Sequence, residues 1–405
     1  MKPVHHALGL LATCTVLNAF ASDAAPMSKG EYLARAADCV ACHVVPGGKP
    51  YAGGLEFKLP FGTIYSPNIT ADMETGIGSW TDDDFVSAVQ SGVGKDGKHY
   101  YPAFPYTSYT LMPREDILAI KEYLFSLPPV KQKPPENKLS FPFNQRWGMM
   151  FWNVVFASSK RFEPDSKQSA EWNRGAYLVQ GPGHCGECHT PRNLFQAMSS
   201  GRPLAGADIG NWHAYNISSD PTYGIGAWPE EALISYLGKG YASGYGGAGG
   251  PMTDAVEHSL KYLTPADLKA IAVYLKSAPA QAEGVARPTV AFNPAPLKPD
   301  LGSKLFNDNC VGCHLLDGSG RQSPAGGLAG LKTINDPTGK NLIATLLEGH
   351  TPLATRADQR MPHFGRGYND TELAALSNFV LQRFGSANGR IEPEDVTKSR
   401  ESALH

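Results

Sequence analysis

The cysteines constrain this chain more than any other feature. Seven occur in 405 residues, and six of them form three pairs with two residues between the partners. The pairs lie in Cys39-Val40-Ala41-Cys42, Cys185-Gly186-Glu187-Cys188 and Cys310-Val311-Gly312-Cys313, and a histidine follows each at once: His43, His189 and His314. The seventh, Cys14, sits in a leader-like N-terminus, where Lys2 precedes a mostly apolar run from Ala7 to Val16 and the small-x-small triplet Ala19-Phe20-Ala21. That pattern predicts an export signal cleaved after Ala21. A lipoprotein signal at Leu11-Ala12-Thr13-Cys14 is the rival reading, against which stand the short apolar run and Thr13. An exported protein normally commits spare cysteines to disulfides, but with Cys14 removed none here is spare.

C-x-x-C-H is a haem c attachment site. The two thiols form thioethers to the haem vinyl groups, and the adjacent histidine becomes the proximal iron ligand. A redox C-x-x-C has no need of that histidine three times over. A zinc site would have to gather four ligands from pairs more than a hundred residues apart. Cys39, Cys42, Cys185, Cys188, Cys310 and Cys313 are therefore the candidate attachment residues for three covalently bound haem c groups, and His43, His189 and His314 the candidate iron ligands.

For the sixth coordination position each third of the chain offers a methionine: Met112, Met252 and Met361. His/Met ligation raises a haem potential, which suits an acceptor of electrons from an organic donor. Core filling is the ordinary role of methionine. Met252 in Gly250-Pro251-Met252 and Met361 in Arg360-Met361-Pro362 read as loop residues, which favours ligation, while Met73 and His99 compete with Met112. His184, His213, His258, His350 and His363 are assigned no role. Asn68 and Asn216 are candidates to orient a propionate or a ligand, or are turn formers. Trp80 and Trp228 read as packing residues. Pro191 and Arg192 are candidates for a carbonyl to the His189 ring and a cation to a propionate, with a plain surface arginine the alternative.

One plan recurs around the three motifs: a short amphipathic helix, the motif, a Gly/Pro-rich stretch, a methionine and a closing helix. The leading segments begin at Gly30-Glu31-Tyr32-Leu33, Gly175-Ala176-Tyr177-Leu178 and Gly302-Ser303-Lys304-Leu305-Phe306. The closing segments, Asp116 to Leu124, Asp267 to Leu275 and Glu372 to Val380, carry apolar residues at helical spacing. Asn68-Ile69-Thr70 with Gly76-Ile77-Gly78-Ser79-Trp80 returns as Asn216-Ile217-Ser218 with Gly224-Ile225-Gly226-Ala227-Trp228, an internal repeat that points to duplication of the first two units. The boundaries expected are a signal at 1–21, units at 22–127, 166–278 and 298–385, a linker or interface segment at 128–165, a linker at 279–297 and a polar tail at 386–405.

Only 18% of residues are charged and the net charge is −2, so no basic stripe points to a nucleic-acid partner. Forty-three glycines and 32 prolines imply much irregular backbone, as short helices around a large cofactor require. No run after the leader reaches the 18 or so apolar residues of a membrane helix. No nucleophile–base constellation competes with the haem motifs.

The chain resembles the three-haem cytochrome c subunits of the membrane-bound periplasmic alcohol, gluconate, sorbitol/fructose and aldehyde dehydrogenases of bacteria. The resemblance rests on Gly30 to His43, Pro60 to Thr70, Tyr101-Pro102-Ala103-Phe104-Pro105-Tyr106, Trp172 to Val179 and Gly183-His184-Cys185, and it runs nearly the full length after the leader. One departure is Phe104, where many members carry methionine, while Met112 stands where they carry another residue; ligand supply is read as shifted along the loop. The resemblance implies a mostly α fold of three tandem class I cytochrome c-like domains with Gly/Pro-rich loops. It implies an electron-transfer subunit, not an enzyme on its own. Such a subunit passes electrons from a large dehydrogenase subunit (PQQ, flavin or molybdopterin type) to ubiquinone and the respiratory chain, on the periplasmic side of the inner membrane, with peripheral attachment. The aromatic stretch Phe141 to Phe156 is the candidate for membrane or partner contact, or else covers the interface between the first two units. A free periplasmic shuttle and a stand-alone multihaem enzyme of peroxidase type are the alternatives.

Overall fold

The computed structural model describes residues 27–59, 61–287, 299–320, 326–349, 361–385 and 389–403. The leader with its cleavage site and the later part of the 279–297 linker lie outside them. Among the described residues the structure is mainly helical, with a few short antiparallel strands.

Three crossed helix pairs set the architecture. Lys29–Ala36 packs on Arg114–Ser126, Ala170–Gln180 on Pro265–Leu275, and Leu301–Asn309 on Asp370–Phe384. Each leading helix starts where a polar side chain takes up a free amide: Ser28 accepts from Glu31 N, Ser169 from Trp172 N and Asp300 from Ser303 N. Thr264 caps the second closing helix, with Pro265 in its first turn, and a reciprocal Asn369–Glu372 box caps the third. The three leading glycines lie at the crossing points, against the carbonyls of Ala119, Ala270 and Ala375.

The cores do not follow the three motifs one for one. A single apolar core spans the first two segments, joining Leu33, Val40, Met112 and Ile117 to Leu178, Val256, Ile271 and Leu275. A second core, including Phe306, Ile343, Leu373 and Phe384, belongs to the third.

The first two segments brace one another reciprocally. Tyr32 OH donates to Asp267 Oδ2 at 2.5 Å, and Tyr177 OH donates to Asp116 Oδ2 at 2.5 Å. Tyr32 and Tyr177 occupy the same place in their leading segments, as do Asp116 and Asp267 in their closing helices. Lys29 pairs with Asp116 at 2.6 Å, and Arg174 clamps Asp267 at 2.7 and 2.8 Å. Burial works against the Asp267 carboxylate, yet Arg174 and Tyr32 hold it below the usual range.

The third segment docks on the second through polar side chains. Glu348 accepts from Asn211 Nδ2 at 2.6 Å and from Trp212 Nε1 at 3.2 Å, and Asn341 bonds both backbone groups of His213. The polar tail is not a loose end: Pro393–Glu401 is a helix whose Val396 is fully buried and whose Arg400 bonds Asp370 at 2.7 Å. Ile391 and Val396 supply the apolar face that a reading of overall polarity overlooks.

Candidate haem-attachment sites

Each motif folds as one turn of helix, Cys39–Cys42, Gly186–His189 and Val311–His314, closed by the histidine amide on the first cysteine's carbonyl at 3.1, 3.0 and 2.9 Å. One turn brings side chains three apart to the same face, so the two thiols stand together with the histidine beside them. None of the six cysteines is in a disulfide. In the polypeptide, burial pushes the Cys39 and Cys185 thiols up to about 12, and that of Cys310 to about 11. Among the described residues no group of three or more His, Cys, Asp or Glu side chains could hold a metal ion.

The three histidines share one arrangement. His43 Nδ1 meets Pro67 O at 2.8 Å, His189 Nδ1 meets Tyr215 O at 2.7 Å, and His314 Nδ1 meets Gly326 O at 2.7 Å. A carbonyl can only accept, so Nδ1 carries the proton and Nε2 keeps its lone pair for a metal. Burial lowers the pKa of all three rings, that of His189 to about 4, which keeps them neutral at physiological pH.

These carbonyls were not legible as functional groups, although Pro67 and Tyr215 directly precede the repeated Asn68 and Asn216. Asn68 Oδ1 accepts from Thr70 N at 2.9 Å while its amide reaches Val130 O at 2.7 Å. Asn216 Oδ1 accepts from Ser218 N at 2.8 Å, and its amide reaches Gln281 O at 2.7 Å. Both asparagines form turns and tie the chain after the closing helix to the loop that supplies the carbonyl. Pro191 does not serve His189: its carbonyl accepts from Ser199 N. Arg192 pairs with Glu187 at 2.6 Å.

The methionines differ in setting. Met112 is fully buried in the first core, its carbonyl held by Gln90 Nε2 at 2.8 Å. Its rivals are placed otherwise: Met73 is exposed, and the His99 ring contacts the Asn153 amide at 3.3 Å. Met252 is not in a loop but is the second residue of the helix Pro251–His258, because Pro251 fixes a helical φ at the first position. The Trp212 ring lies so close to Gly249 and Gly250 that a Cβ there would stand 2.9 and 2.3 Å from it, which holds the approach to Met252. Met361 is partly buried against the second core.

The donor set suits a haem. In each motif a pair of free thiols and a neutral imidazole sit side by side. Arg35 Nε and Trp228 Nε1 are buried donors without a partner, as a group bearing carboxylates would require. The first two motifs are also close together: the Cys188 thiol acts on Cys42, and Thr107 and Ser108 of the first segment donate to Glu187 inside the second motif at 2.9 and 3.1 Å.

Comparison with known proteins agrees with this geometry. The cytochrome c family matches residues 27–128 and 299–383. The chain is 39% identical to the gluconate 2-dehydrogenase cytochrome c subunit of Pantoea cypripedii, over 97% of this chain and 93% of that one. It is 37% identical to the fructose dehydrogenase cytochrome subunit of Gluconobacter japonicus, over 92% of this chain and 82% of that one. It is 38% identical to a nicotinate dehydrogenase subunit of Pseudomonas putida over 94% of its own length, and it spans 33% of that longer protein.

Proposed function

We propose that this chain, which belongs to the family of cytochrome c subunits of dehydrogenases, carries three haem c groups and passes electrons from a large dehydrogenase subunit to ubiquinone at the periplasmic face of the inner membrane. The observation that carries this reading is the threefold recurrence of free thiol pairs beside a histidine whose Nδ1 is held by a backbone carbonyl. Haem supplies the one-electron chemistry when bound. The chain's own part is to fix its iron ligands, exclude water and keep successive groups close.

In this reading Cys39 and Cys42, Cys185 and Cys188, and Cys310 and Cys313 hold the haems of three cytochrome c-like domains, near 22–127, 166–278 and 298–385. His43, His189 and His314 take one axial position, and Met112, Met252 and Met361 the other. Met112→Ala should remove one haem's share of the methionine–iron absorption band and lower one midpoint potential out of three. An unchanged redox titration of that variant rules Met112 out.

The large partner in this reading is a dehydrogenase subunit of PQQ, flavin or molybdopterin type; the relatives are named as subunits of gluconate, fructose and nicotinate dehydrogenases. Affinity purification of the tagged chain from native membranes in mild detergent, with haem counted per chain, tests the whole reading. The expected result is three haems and a co-purifying large subunit with an extractable cofactor. A three-haem chain that emerges alone and soluble would instead identify a free shuttle, and a high-spin haem that turns over peroxide a stand-alone enzyme.

A further inference from the structure

The three motif histidines do not share the same electrical surroundings. At His43 and His314, burial and the backbone carbonyl act on the ring. At His189, beyond burial and the Tyr215 carbonyl, two basic side chains act as well, His213 and Lys332. The His213 ring is met by the Asp208 carboxylate at 2.6 Å. Lys332 has no such partner among the described residues; its bonds run to backbone carbonyls.

Lys332 opens the short helix Lys332–Asn335 of the third segment, yet its ammonium reaches into the second. Its Nζ donates to Tyr223 O and, at 3.4 Å, to Gly224 O, and it lies 5.8 Å from the centre of the Tyr215 ring. The carbonyl of that same Tyr215 holds His189 Nδ1. Arg287 is a second cation nearby, its Nη2 donating to Gly244 O at 2.8 Å and its guanidinium 3.7 Å over the Tyr245 ring. The nearest acids are otherwise engaged. Asp220 accepts from the amides of Thr222 and Tyr223 at 2.9 and 2.7 Å, and Asp336 accepts from Thr338 N at 3.0 Å and Tyr215 OH at 3.3 Å. Burial, and then Arg287, push the Lys332 ammonium down to about 8, with Asp220 acting against them. The group is charged at pH 7 and poorly compensated.

The turn that receives Lys332 recurs in the first segment, where Thr75-Gly76 stands in the place of Tyr223-Gly224. There the amide of Gln132 closes the turn on Thr75 Oγ1 at 3.0 Å, and the neighbouring Lys131 is paired with Glu74 at 2.6 Å. The uncompensated cation is therefore particular to the second site. Uptake of one electron lowers the charge of a haem by one, so a cation close by favours the reduced form, and more strongly away from water.

We propose that Lys332, a residue of the third segment, raises the reduction potential of the haem held by Cys185, Cys188 and His189, so that the middle haem is tuned by a charge its own segment does not supply. This rests on the three-haem reading, and the test separates the two.

The full-length haem-loaded chain is titrated spectroelectrochemically at pH 7. Lys332→Gln keeps a donor for the carbonyls and removes the charge. One midpoint of three should fall, the reduced-to-oxidised ratio of that haem at fixed potential dropping about tenfold, which is about 59 mV for one electron. Lys332→Arg should hold that midpoint. In a chain lacking Cys185 and Cys188, Lys332→Gln should move the two remaining midpoints much less. Should Lys332→Gln disturb the melting curve, Arg287→Gln carries the test, because it removes a cation from the same place while Lys332 stays bonded; the same midpoint should fall by a smaller factor. The proposal is overturned if these charge removals leave all three midpoints in place, if Lys332→Arg falls as far as Lys332→Gln, or if the full shift persists without Cys185 and Cys188. A Cys185/Cys188 variant that still carries three haems defeats the haem assignment itself, and the proposal with it.

Discussion

Replacing Cys185 and Cys188 together by alanine is expected to leave a chain with two haems per molecule and to stop quinone reduction through it. The second segment is the structural middle of the molecule. Its Glu187 receives Thr107 and Ser108 from the first segment, and its Asn211, Trp212 and His213 hold Glu348 and Asn341 of the third. Among the described residues the hydrogen bonds that seat the third segment all run to the second. If three haems are bound as proposed, loss of the one here breaks the series, whereas loss at either end shortens it. The variant should also be less stable, because the second motif faces the core shared by the first two segments, and a missing group leaves that core short of contacts. Cys310→Ala with Cys313→Ala is the control. It too should leave two haems, but the first core should melt as before, since the third segment has its own. Haem per chain, quinone reductase activity of the assembled complex and the melting curve check all of this. A Cys185/Cys188 variant that still carries three haems would end the assignment.

The sequence located the three Cys-x-x-Cys-His motifs more clearly than the groups that surround them. The candidate attachment residues stand out because the motif is contiguous, and the closing helices were readable because their apolar residues recur at helical spacing. Three features escaped. The carbonyls of Pro67, Tyr215 and Gly326 carry no side-chain signature, since any residue can offer one. The shared core of the first two segments depends on Tyr32, Asp267, Tyr177 and Asp116, partners 235 and 61 residues apart in the chain. The helical setting of Met252 was masked by Gly250-Pro251, which reads as a loop but serves as a helix start. The glycines that open the leading segments were visible as a repeated feature, yet only the crossing geometry shows what they do.

That geometry makes Gly175→Ala the most damaging single methyl group one could add outside the haem motifs. A Cβ on Gly175 would stand 1.9 Å from the carbonyl oxygen of Ala270 and 2.5 Å from its carbonyl carbon. The obstruction is backbone, so no side chain can swing aside, and the two helices must separate. The same relation holds at Gly30 against Ala119 O, at 2.0 Å, and at Gly302 against Ala375 O, at 2.2 Å, so close approach at this point is a rule of the helix pair. Forced separation also strains the Arg174 clamp on Asp267, which joins the same two helices, and loosens Tyr177 from Asp116. Overpacking of this kind costs about 3 kcal/mol, which for a unit of this size lowers the melting temperature by roughly 6–12 °C. Alanine is otherwise the better helix former, so a propensity argument alone predicts the opposite sign. Gly148→Ala separates the two effects. Nothing lies within 4 Å of a Cβ there, and that variant should melt at or slightly above the wild-type temperature. If Gly175→Ala also melts unchanged, the helices do not cross as closely as their carbonyls indicate, and the reciprocal brace between the first two segments loses its anchor.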